Sequence, residues 1–397
     1  MPLGNETANP LKGDGNYAEF WSNHDLEESL FANNPWLRAP DFTQPLPWGK
    51  PYYWDTTVAR KHDYWKDFDL PAPTRDPQRL RHDFREWGYC LIEKGLSDEQ
   101  YRHFQKRLFD QAAGERLAGL EQASPYGQYI NTLVNKGECF ARAIEMHPKF
   151  VDAGSIIESL LDDILGSDWI CHSFLANGAD PGKYPQAIHL DQGAIMPWVT
   201  REAPVLVNTM FILQDVNEEN GGTLIIPGSH KDIIAAGTRG QVGRLAPTIN
   251  LEAPAGTVMV FDGRLLHGTG ANRTNQQRFV ATMQTIKPWM RQQENWVLSL
   301  RPEILASASL KLLHRLGFQA LFNGGTVEGF GINFGRGAVG DVHGAIDVFR
   351  RALDAGNYCR VGELSPDSPR DVLERPYTLR TAMALSATAK HPIDSLM

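Results

Sequence analysis

Cysteine is scarce in this chain of 397 residues, and its spacing excludes two kinds of small scaffold. The four cysteines, Cys90, Cys139, Cys171 and Cys359, are spread over nearly 270 residues without any Cys-x-x-Cys pair. A disulfide framework and a cysteine-ligated zinc site both need closer spacing. This pattern favours a reducing, intracellular compartment.

Long apolar runs and an excess of positive charge are also missing. No 18-residue apolar stretch is present to span a membrane, and the first residues lack the basic start and apolar run of a secretory signal. Lys and Arg number 39 against 47 Asp and Glu, so the composition argues against nucleic acid as a partner. We expect a soluble cytoplasmic protein. Its end, Ser395-Leu396-Met397, resembles a peroxisomal tail but lacks the basic middle residue.

Tryptophan and proline, in contrast, are concentrated at the N-terminus. Five of the 10 tryptophans and nine of the 25 prolines lie in the first 75 residues, which show neither helical nor strand periodicity. Aromatic rings in such number need to be buried. We therefore expect residues 1–75 to form an irregular arm that packs on a folded body, either as a cover or as a subunit contact in a homodimer.

The next residues have helical periodicity around one short strand. Leu80, Phe84 and Trp87 recur at helical spacing, and Gly88 ends that helix. Ser97 with Gln100 is a capping-box signature for a second helix. The predicted elements are a helix ending at Trp87, the strand Tyr89–Ile92, a helix opened by Ser97, and a helix from about Pro148 to Leu165.

Between Trp169 and Ile286 the pattern changes to short apolar runs bounded by Gly, Pro and Asn, as in a jelly roll or cupin-like barrel. The predicted strands are Trp169–Leu175, Val205–Leu213, Thr223–Ile226, Thr257–Phe261 and Phe279–Ile286. We expect an α+β protein whose all-β core is a double-stranded β-helix over residues 76–290, flanked by helices. Residues 291–397 are expected to be a helical extension of the same domain, notably at Ile304–Leu316 and Val339–Leu353.

A His-x-Asp pair lies in this β region. Residues i and i+2 of a strand point to the same face, so His189 and Asp191 can direct an imidazole and a carboxylate to one point. His267, after a later predicted strand, can add a second imidazole. Two histidines and one carboxylate form the facial triad that holds Fe(II) and leaves positions open, which indicates catalysis rather than structure.

A second copy of this spacing, His230-Lys231-Asp232, follows a Pro-Gly-Ser turn. It lies only 37 residues before His267, whereas the first copy leaves 78, enough for the intervening barrel strands. We therefore predict His189 and Asp191 as the ligands and interpret His230 as a turn residue.

Arg278 immediately precedes the last predicted strand, eleven residues after His267, and starts the run Arg-Phe-Val-Ala-Thr-Met-Gln. A guanidinium in this place can form a bidentate pair with the distal carboxylate of a dicarboxylate co-substrate whose other end chelates the metal. The position therefore favours a binding role over a surface ion pair.

The order of the motifs HLD, ENGGTLIIPGSHK, GTVMVFDGRLLHGTGANRT and QRF resembles the phytanoyl-CoA dioxygenase family of Fe(II)- and 2-oxoglutarate-dependent oxygenases. The motifs cover about residues 125–290. The resemblance implies Fe(II) on His189, Asp191 and His267, and 2-oxoglutarate with its C5 carboxylate on Arg278. It also implies 2-oxoglutarate contacts from Thr223 to the C5 carboxylate, from Gln186 as in fungal natural-product members, and from Asn131 to the C1 carboxylate.

The resemblance also implies the reaction. O2 and 2-oxoglutarate are consumed, succinate and CO2 are released, and a C–H bond of a small, largely apolar metabolite is oxidised. Hydroxylation is the default, and desaturation, epoxidation and rearrangement stay open. Halogenating relatives replace the acid with a small residue, so Asp191 disfavours halogenation, and Met210 stands where the mammalian founder has tryptophan. Two rivals remain: a cupin-type iron oxygenase without 2-oxoglutarate, and a non-catalytic small-molecule-binding barrel.

Overall fold

The computed structural model describes residues 65–124, 126–183, 185–186, 188–192, 203–231, 248–318 and 362–368. Most of the N-terminal arm and the predicted helix Val339–Leu353 lie outside these ranges. The elements in chain order are α1 (Pro77–Trp87), β1 (Tyr89–Ile92), α2 (Asp98–Leu117), β2 (Gln122–Ala123), β3 (Gln128–Ile130), a 3-10 turn (Leu133–Asn135), α3 (Glu138–Ile144), α4 (Gly154–Leu165), β4 (Ile170–Ala179), β5 (Leu206–Ile212), β6 (Leu224–Ile225), β7 (Ile249–Asn250), β8 (Val258–Asp262), β9 (His267–Gly268), β10 (Arg278–Ile286), α5 (Trp296–Ser299), α6 (Pro302–Ser307) and α7 (Leu310–Arg315).

The predicted ends of the first two helices are confirmed. Gly88 ends α1 in the left-handed conformation, with φ at 80°, and its N–H donates to the Phe84 carbonyl. Ser97 and Gln100 form both hydrogen bonds of a capping box at the start of α2. These caps satisfy backbone groups that each helix end leaves without an intrahelical partner.

The third predicted helix starts later than the sequence indicated. α4 begins at Gly154 rather than Pro148 because tertiary partners take the backbone donors just before it. Asp152 donates its N–H to the Gln100 side chain, and Ala153 donates to the Gly95 carbonyl. These donors are therefore unavailable for the preceding turn of the helix.

The predicted helical region Ile304–Leu316 is divided in the structure. Ala308 is extended, and the Ser309 hydroxyl accepts the Leu312 N–H, so a new helix, α7, starts after it. The region is helical as predicted, but Ser309 caps a new helix and so divides the region into two helices.

Two antiparallel sheets form the β core. A seven-stranded sheet has the order β1-β8-β5-β10-β4-β3-β2, and a three-stranded sheet has the order β7-β6-β9. The five strands predicted between Trp169 and Ile286 are confirmed to within a few residues, although β6 has only two residues, and Tyr89–Ile92 is confirmed without change. β2, β3, β7 and β9 have two or three residues each, too few for a readable period. This architecture is the predicted jelly-roll core with flanking helices.

Strand alternation separates the two faces of the large sheet. Met210, Phe261 and Val280 belong to the apolar cluster that also includes Ile225 of the small sheet, so they point inward. Phe211 and Phe279 belong to the larger cluster that packs against the helices. The inner face is the one that carries the polar residues described below.

Among the described residues, no helix is both long enough and apolar enough to cross a bilayer. Three of the cysteines, Cys90, Cys139 and Cys171, are buried with free thiols. The division at residues 75 and 290 stays a prediction.

Candidate active site

The three predicted ligands lie together between the two sheets. Asp191 Oδ1 is 3.4 Å from His189 Nε2, and Asp191 Oδ2 is 3.6 Å from His267 Nε2. One donor atom from each residue falls within 4.8 Å of the other two, and within the described ranges this is the one such cluster of three. Two imidazole nitrogens and one carboxylate oxygen are the donor set that suits Fe(II) with positions left open.

The backbone brings the two histidines together. The His189 N–H donates to the His267 carbonyl and the His267 N–H to the His189 carbonyl, both at 2.9 Å. His189 therefore forms an isolated antiparallel bridge with β9 rather than part of a longer strand. Their ring centroids are 4.5 Å apart. The spacing of the ligands is thus fixed by main-chain hydrogen bonds.

The protonation of His267 suits metal binding. Its Nδ1 lies 2.9 Å from the Leu265 carbonyl, and since that carbonyl can only accept, Nδ1 carries the proton and donates. Burial lowers the pKa of His267 to about 4, against the opposing effect of Asp191. The ring is therefore neutral near pH 7, with the Nε2 lone pair directed toward Asp191.

Asp191 is ionised in the same site. Burial acts to raise its pKa, but the neighbouring imidazoles of His267 and His189 outweigh burial and hold the pKa below its ordinary value. Its Oδ2 also accepts a hydrogen bond of 3.1 Å from Gln284 Nε2. The carboxylate is therefore held from the side of the large sheet as well as by the histidines.

Arg278 is a buried cation without an anionic partner. Its side chain is 1% exposed, and no carboxylate of the described residues pairs with it. Nη2 donates to the Gly221 carbonyl and Nε to the Asn220 carbonyl, whereas Nη1 has no hydrogen-bond partner. Burial lowers the pKa of Arg278 to about 10, so it remains charged near neutral pH. A buried charge with an unpaired donor fits the carboxylate of a bound ligand.

The remaining predicted contacts have different surroundings. Thr223 is buried, with its hydroxyl 3.9 Å from the Met210 sulfur. Gln186 accepts hydrogen bonds from the Thr269 N–H and hydroxyl and donates to the Tyr126 hydroxyl at 3.3 Å. Asn131 donates to the Gln122 side chain at the edge of the large sheet, and its binding role stays a prediction.

His230 lies in a helical segment, residues 229–231, rather than in the turn that the sequence indicated. Its Nε2 lies 3.1 Å from the Arg85 carbonyl, and it is not part of the metal-ligand cluster. Its neighbour Ser229 accepts the Leu266 N–H at 2.9 Å, which supports the backbone just before His267. Asp232, the carboxylate of this second His-x-Asp copy, lies outside the described residues.

Two amide side chains beside Asp191, those of Gln284 and Asn208, had no predicted role. Gln284 hydrogen-bonds Asp191, and Asn208 helps to lower the pKa of the same carboxyl. Gln284 lies six positions after Arg278 on β10, so the period of two places both side chains on one face. That spacing was a readable signal for Gln284. For Asn208, the only signal in the sequence was that a polar residue lies within an apolar strand.

A jelly-roll barrel with two histidines and one carboxylate inside it defines the class of mononuclear non-haem iron oxygenases. The family model for phytanoyl-CoA dioxygenase matches residues 84–280, a range that contains all three ligands and Arg278. The chain is 34% identical over 298 residues to "Dioxygenase af480" of Aspergillus fumigatus, covering 72% of this chain and 86% of the relative.

A second relative, "Dioxygenase aneA" of Aspergillus aculeatus, is 30% identical over 204 residues, which cover 48% of this chain and 65% of that protein. Among solved structures, the chain is similar to the non-haem α-ketoglutarate-dependent carbocyclase SnoK from nogalamycin biosynthesis. The identity is 18% and the TM-score 0.42, with 55% of this chain and 87% of SnoK covered.

The chain belongs to the phytanoyl-CoA dioxygenase family. It is an oxidoreductase of the iron- and 2-oxoglutarate-dependent dioxygenase class.

Proposed function

We propose that this enzyme oxidises a C–H bond of a small, largely apolar metabolite, with hydroxylation as the default outcome, and releases succinate and CO2 from 2-oxoglutarate. The observation that carries the proposal is Arg278, a buried cation whose Nη1 has no partner. A barrel that bound only a metal ion would not need the buried guanidinium of Arg278. A dicarboxylate co-substrate supplies the missing anion.

His189, Asp191 and His267 are the proposed iron ligands, because their donor atoms lie within 4.8 Å of one another. When bound, Fe(II) activates O2, and 2-oxoglutarate supplies the second pair of electrons that O2 reduction requires. The protein holds the co-substrate and the substrate in the geometry for reaction. None of its side chains needs to act as a covalent nucleophile.

Arg278 and Thr223 are proposed to hold the distal C5 carboxylate of 2-oxoglutarate. Both are buried, and Arg278 donates to the carbonyls of Asn220 and Gly221, which lie three and two residues before Thr223. Gln186 and Asn131 are proposed for the metal-side end of 2-oxoglutarate. Gln186 already has its amide oxygen fixed by Thr269, which orients its NH2 group.

The inner wall favours an apolar substrate. Met210, Val280 and Phe261 face the space between the sheets, and Phe261 packs against the His267 ring with centroids 4.9 Å apart. Apolar walls would exclude water from the space in which the C–H bond of the substrate would lie. We therefore place the bulk of substrate contacts on these side chains.

The direct test is anaerobic titration of the metal-free protein with Fe(II) and 2-oxoglutarate. We expect a weak visible metal-to-ligand charge-transfer band that requires both additions. Asp191→Ala should abolish the band by loss of iron, whereas Arg278→Ala should still bind iron and lose affinity for 2-oxoglutarate. An intact protein that binds iron and gives no band would contradict the proposal.

Coupled product analysis separates the rivals. Turnover of an identified substrate without succinate would favour a cupin-type oxygenase that ignores 2-oxoglutarate. Failure to bind Fe(II) at all would favour a non-catalytic binding barrel.

We also propose a cytoplasmic location and, for the arm of residues 1–75, a role as cover or as homodimer contact. Trp65 supports packing of the arm's end, since its ring makes an edge contact with Trp87 of α1 at 6.2 Å. A chain lacking residues 1–70 should then change its oligomeric state or lose solubility. Unchanged sedimentation and solubility would remove both roles.

A further inference from the structure

We infer that Gln284, oriented by Ser173 and flanked by Asn208, is the positioning residue for Asp191, so that a row of polar side chains on the large sheet sets metal affinity. The inference rests on the proposed function, because it takes Asp191 as a metal ligand. Nothing in the motifs of the sequence assigns a role to these three residues.

The row follows from strand register. β10 lies between β4 and β5, and Gln284 is paired with Ser173 on one side and with Asn208 on the other. Directly paired residues of neighbouring strands point to the same face. All three side chains therefore face inward, on the side where Asp191 lies.

Hydrogen bonds fix the direction of the Gln284 amide. The Ser173 hydroxyl lies 2.9 Å from Gln284 Oε1, and Gln284 Nε2 donates to Asp191 Oδ2 at 3.1 Å. Reversal of the amide would place its oxygen against the carboxylate of Asp191, with two acceptors facing each other. Ser173 stabilises the productive direction because its hydroxyl can donate to Oε1.

Asn208 completes the row from β5. Its side chain is fully buried, and it is directly paired with Gln284 in the register of β5 and β10. Neither atom of its amide reaches hydrogen-bond geometry with a described group. Gln284 is thus the one amide of the row that holds Asp191 directly in this structure.

The chemical consequence concerns the oxygen that Gln284 occupies. A carboxylate with one oxygen engaged by an amide donor is oriented and has less freedom to bind a metal through both oxygens. Monodentate binding leaves a coordination position open for the co-substrate or O2. Outer partners of this kind typically change metal affinity about 10- to 100-fold when they are removed.

The experiment uses Co(II) as the probe in the full-length, metal-free protein, with affinity measured by titration and coordination by the visible d–d spectrum. Gln284→Leu should weaken Co(II) binding at least about 10-fold and change the intensity of the d–d bands. Ser173→Ala should weaken binding less, whereas Ser173→Thr, which keeps the hydroxyl, should restore it.

A double variant tests that Ser173 acts through Gln284. Ser173→Ala combined with Gln284→Leu should bind Co(II) no more weakly than Gln284→Leu alone, since residues in one network are not additive. Thr285→Val is the matched control, because Thr285 is the next residue of β10 but faces outward and donates to the Val207 carbonyl. It should lower stability without changing the Co(II) spectrum.

Several outcomes would overturn the inference. Wild-type affinity and an unchanged spectrum in Gln284→Leu would show that Gln284 does not position Asp191. Additive effects in the double variant would show that Ser173 acts independently. If Gln284→Leu does not fold, equal Co(II) affinities of Ser173→Ala and Ser173→Thr would also overturn the inference. Failure of the wild-type protein to bind Co(II) would instead contradict the proposed metal centre itself.

Discussion

Replacement of Arg278 by methionine should separate ligand binding from stability. Methionine has a long apolar side chain that fills the same buried space without the charge. In the absence of ligand, the guanidinium is bonded only to the backbone carbonyls of Asn220 and Gly221, and its Nη1 has no partner. The charge of Arg278 therefore lowers the stability of the ligand-free protein and strengthens the binding of an anionic ligand.

The magnitude follows from the pKa of Arg278. Burial lowers that pKa from 12.5 to about 10, which corresponds to about 3 kcal/mol of destabilisation by the charged form. A folded-state pKa below the unfolded value means that this penalty is fully present at neutral pH and declines only above pH 10. Loss of the carbonyl hydrogen bonds costs about 1–3 kcal/mol in the opposite direction. Arg278→Met should therefore leave the unfolding free energy of the ligand-free protein unchanged within about 2 kcal/mol, or raise it.

Binding should respond in the opposite sense. Removal of one partner of a buried charge pair typically costs about 2–5 kcal/mol, so affinity for 2-oxoglutarate should fall by about two to three orders of magnitude. Urea unfolding of the ligand-free protein and titration of the metal-loaded protein with 2-oxoglutarate measure the two quantities separately.

Arg315→Met is the matched control. Arg315 is also buried, but its Nη2 forms an ion pair of 2.8 Å with Glu158. Its removal takes away its hydrogen bonds to the carbonyls of Ser167 and Trp169 and one of the two cations at Glu158, which keeps Lys311 at 2.8 Å. Stability should therefore fall by about 1–3 kcal/mol, without an effect on 2-oxoglutarate. If Arg278→Met loses as much stability as Arg315→Met and keeps its affinity, Arg278 is structural and the reasoning is refuted.

Two further predictions concern stability. Lys136→Met should cost about 3–5 kcal/mol by leaving Glu115 buried without its 2.6 Å partner, and a loss below 1 kcal/mol would show the carboxyl to be neutral or rehydrated. Burial lowers the pKa of both His172 and His267 to about 4, so the metal-free protein should lose stability as pH falls from 6.5 to 4. His172→Gln should reduce that dependence, and an unaltered pH profile would exclude His172 as its source.

The cluster of His189, Asp191 and His267 was the part of the candidate site that sequence could predict. His189 and Asp191 are two positions apart, and that spacing identified a common direction, although His189 lies in a single bridge rather than a regular strand. Arg278 was placed by its distance from His267. Gln284 and Asn208 could not be assigned in the same way, because their role depends on which strands are neighbours, and register across a sheet is not written in a local pattern.

The fold shows the same limit. Local signals such as Gly88 and the Ser97 capping box gave element ends correctly, because their physics involves only adjacent residues. The start of α4 was misplaced because Gly95 and Gln100, remote in sequence, capture the backbone donors before Gly154. Competition for backbone donors by residues remote in sequence does not show in any periodic pattern of the sequence.

The paired main-chain hydrogen bonds between His189 and His267 have a consequence for how enzymes of this type diversify. Loop-closure entropy rises only slowly with loop length, so the loops that join the strands between the two histidines can gain or lose residues at small thermodynamic cost. As long as those strands keep their pairing, the bridge holds both imidazoles opposite each other. The loops that line the site could therefore be exchanged for others without a change in the pairing of the two histidines.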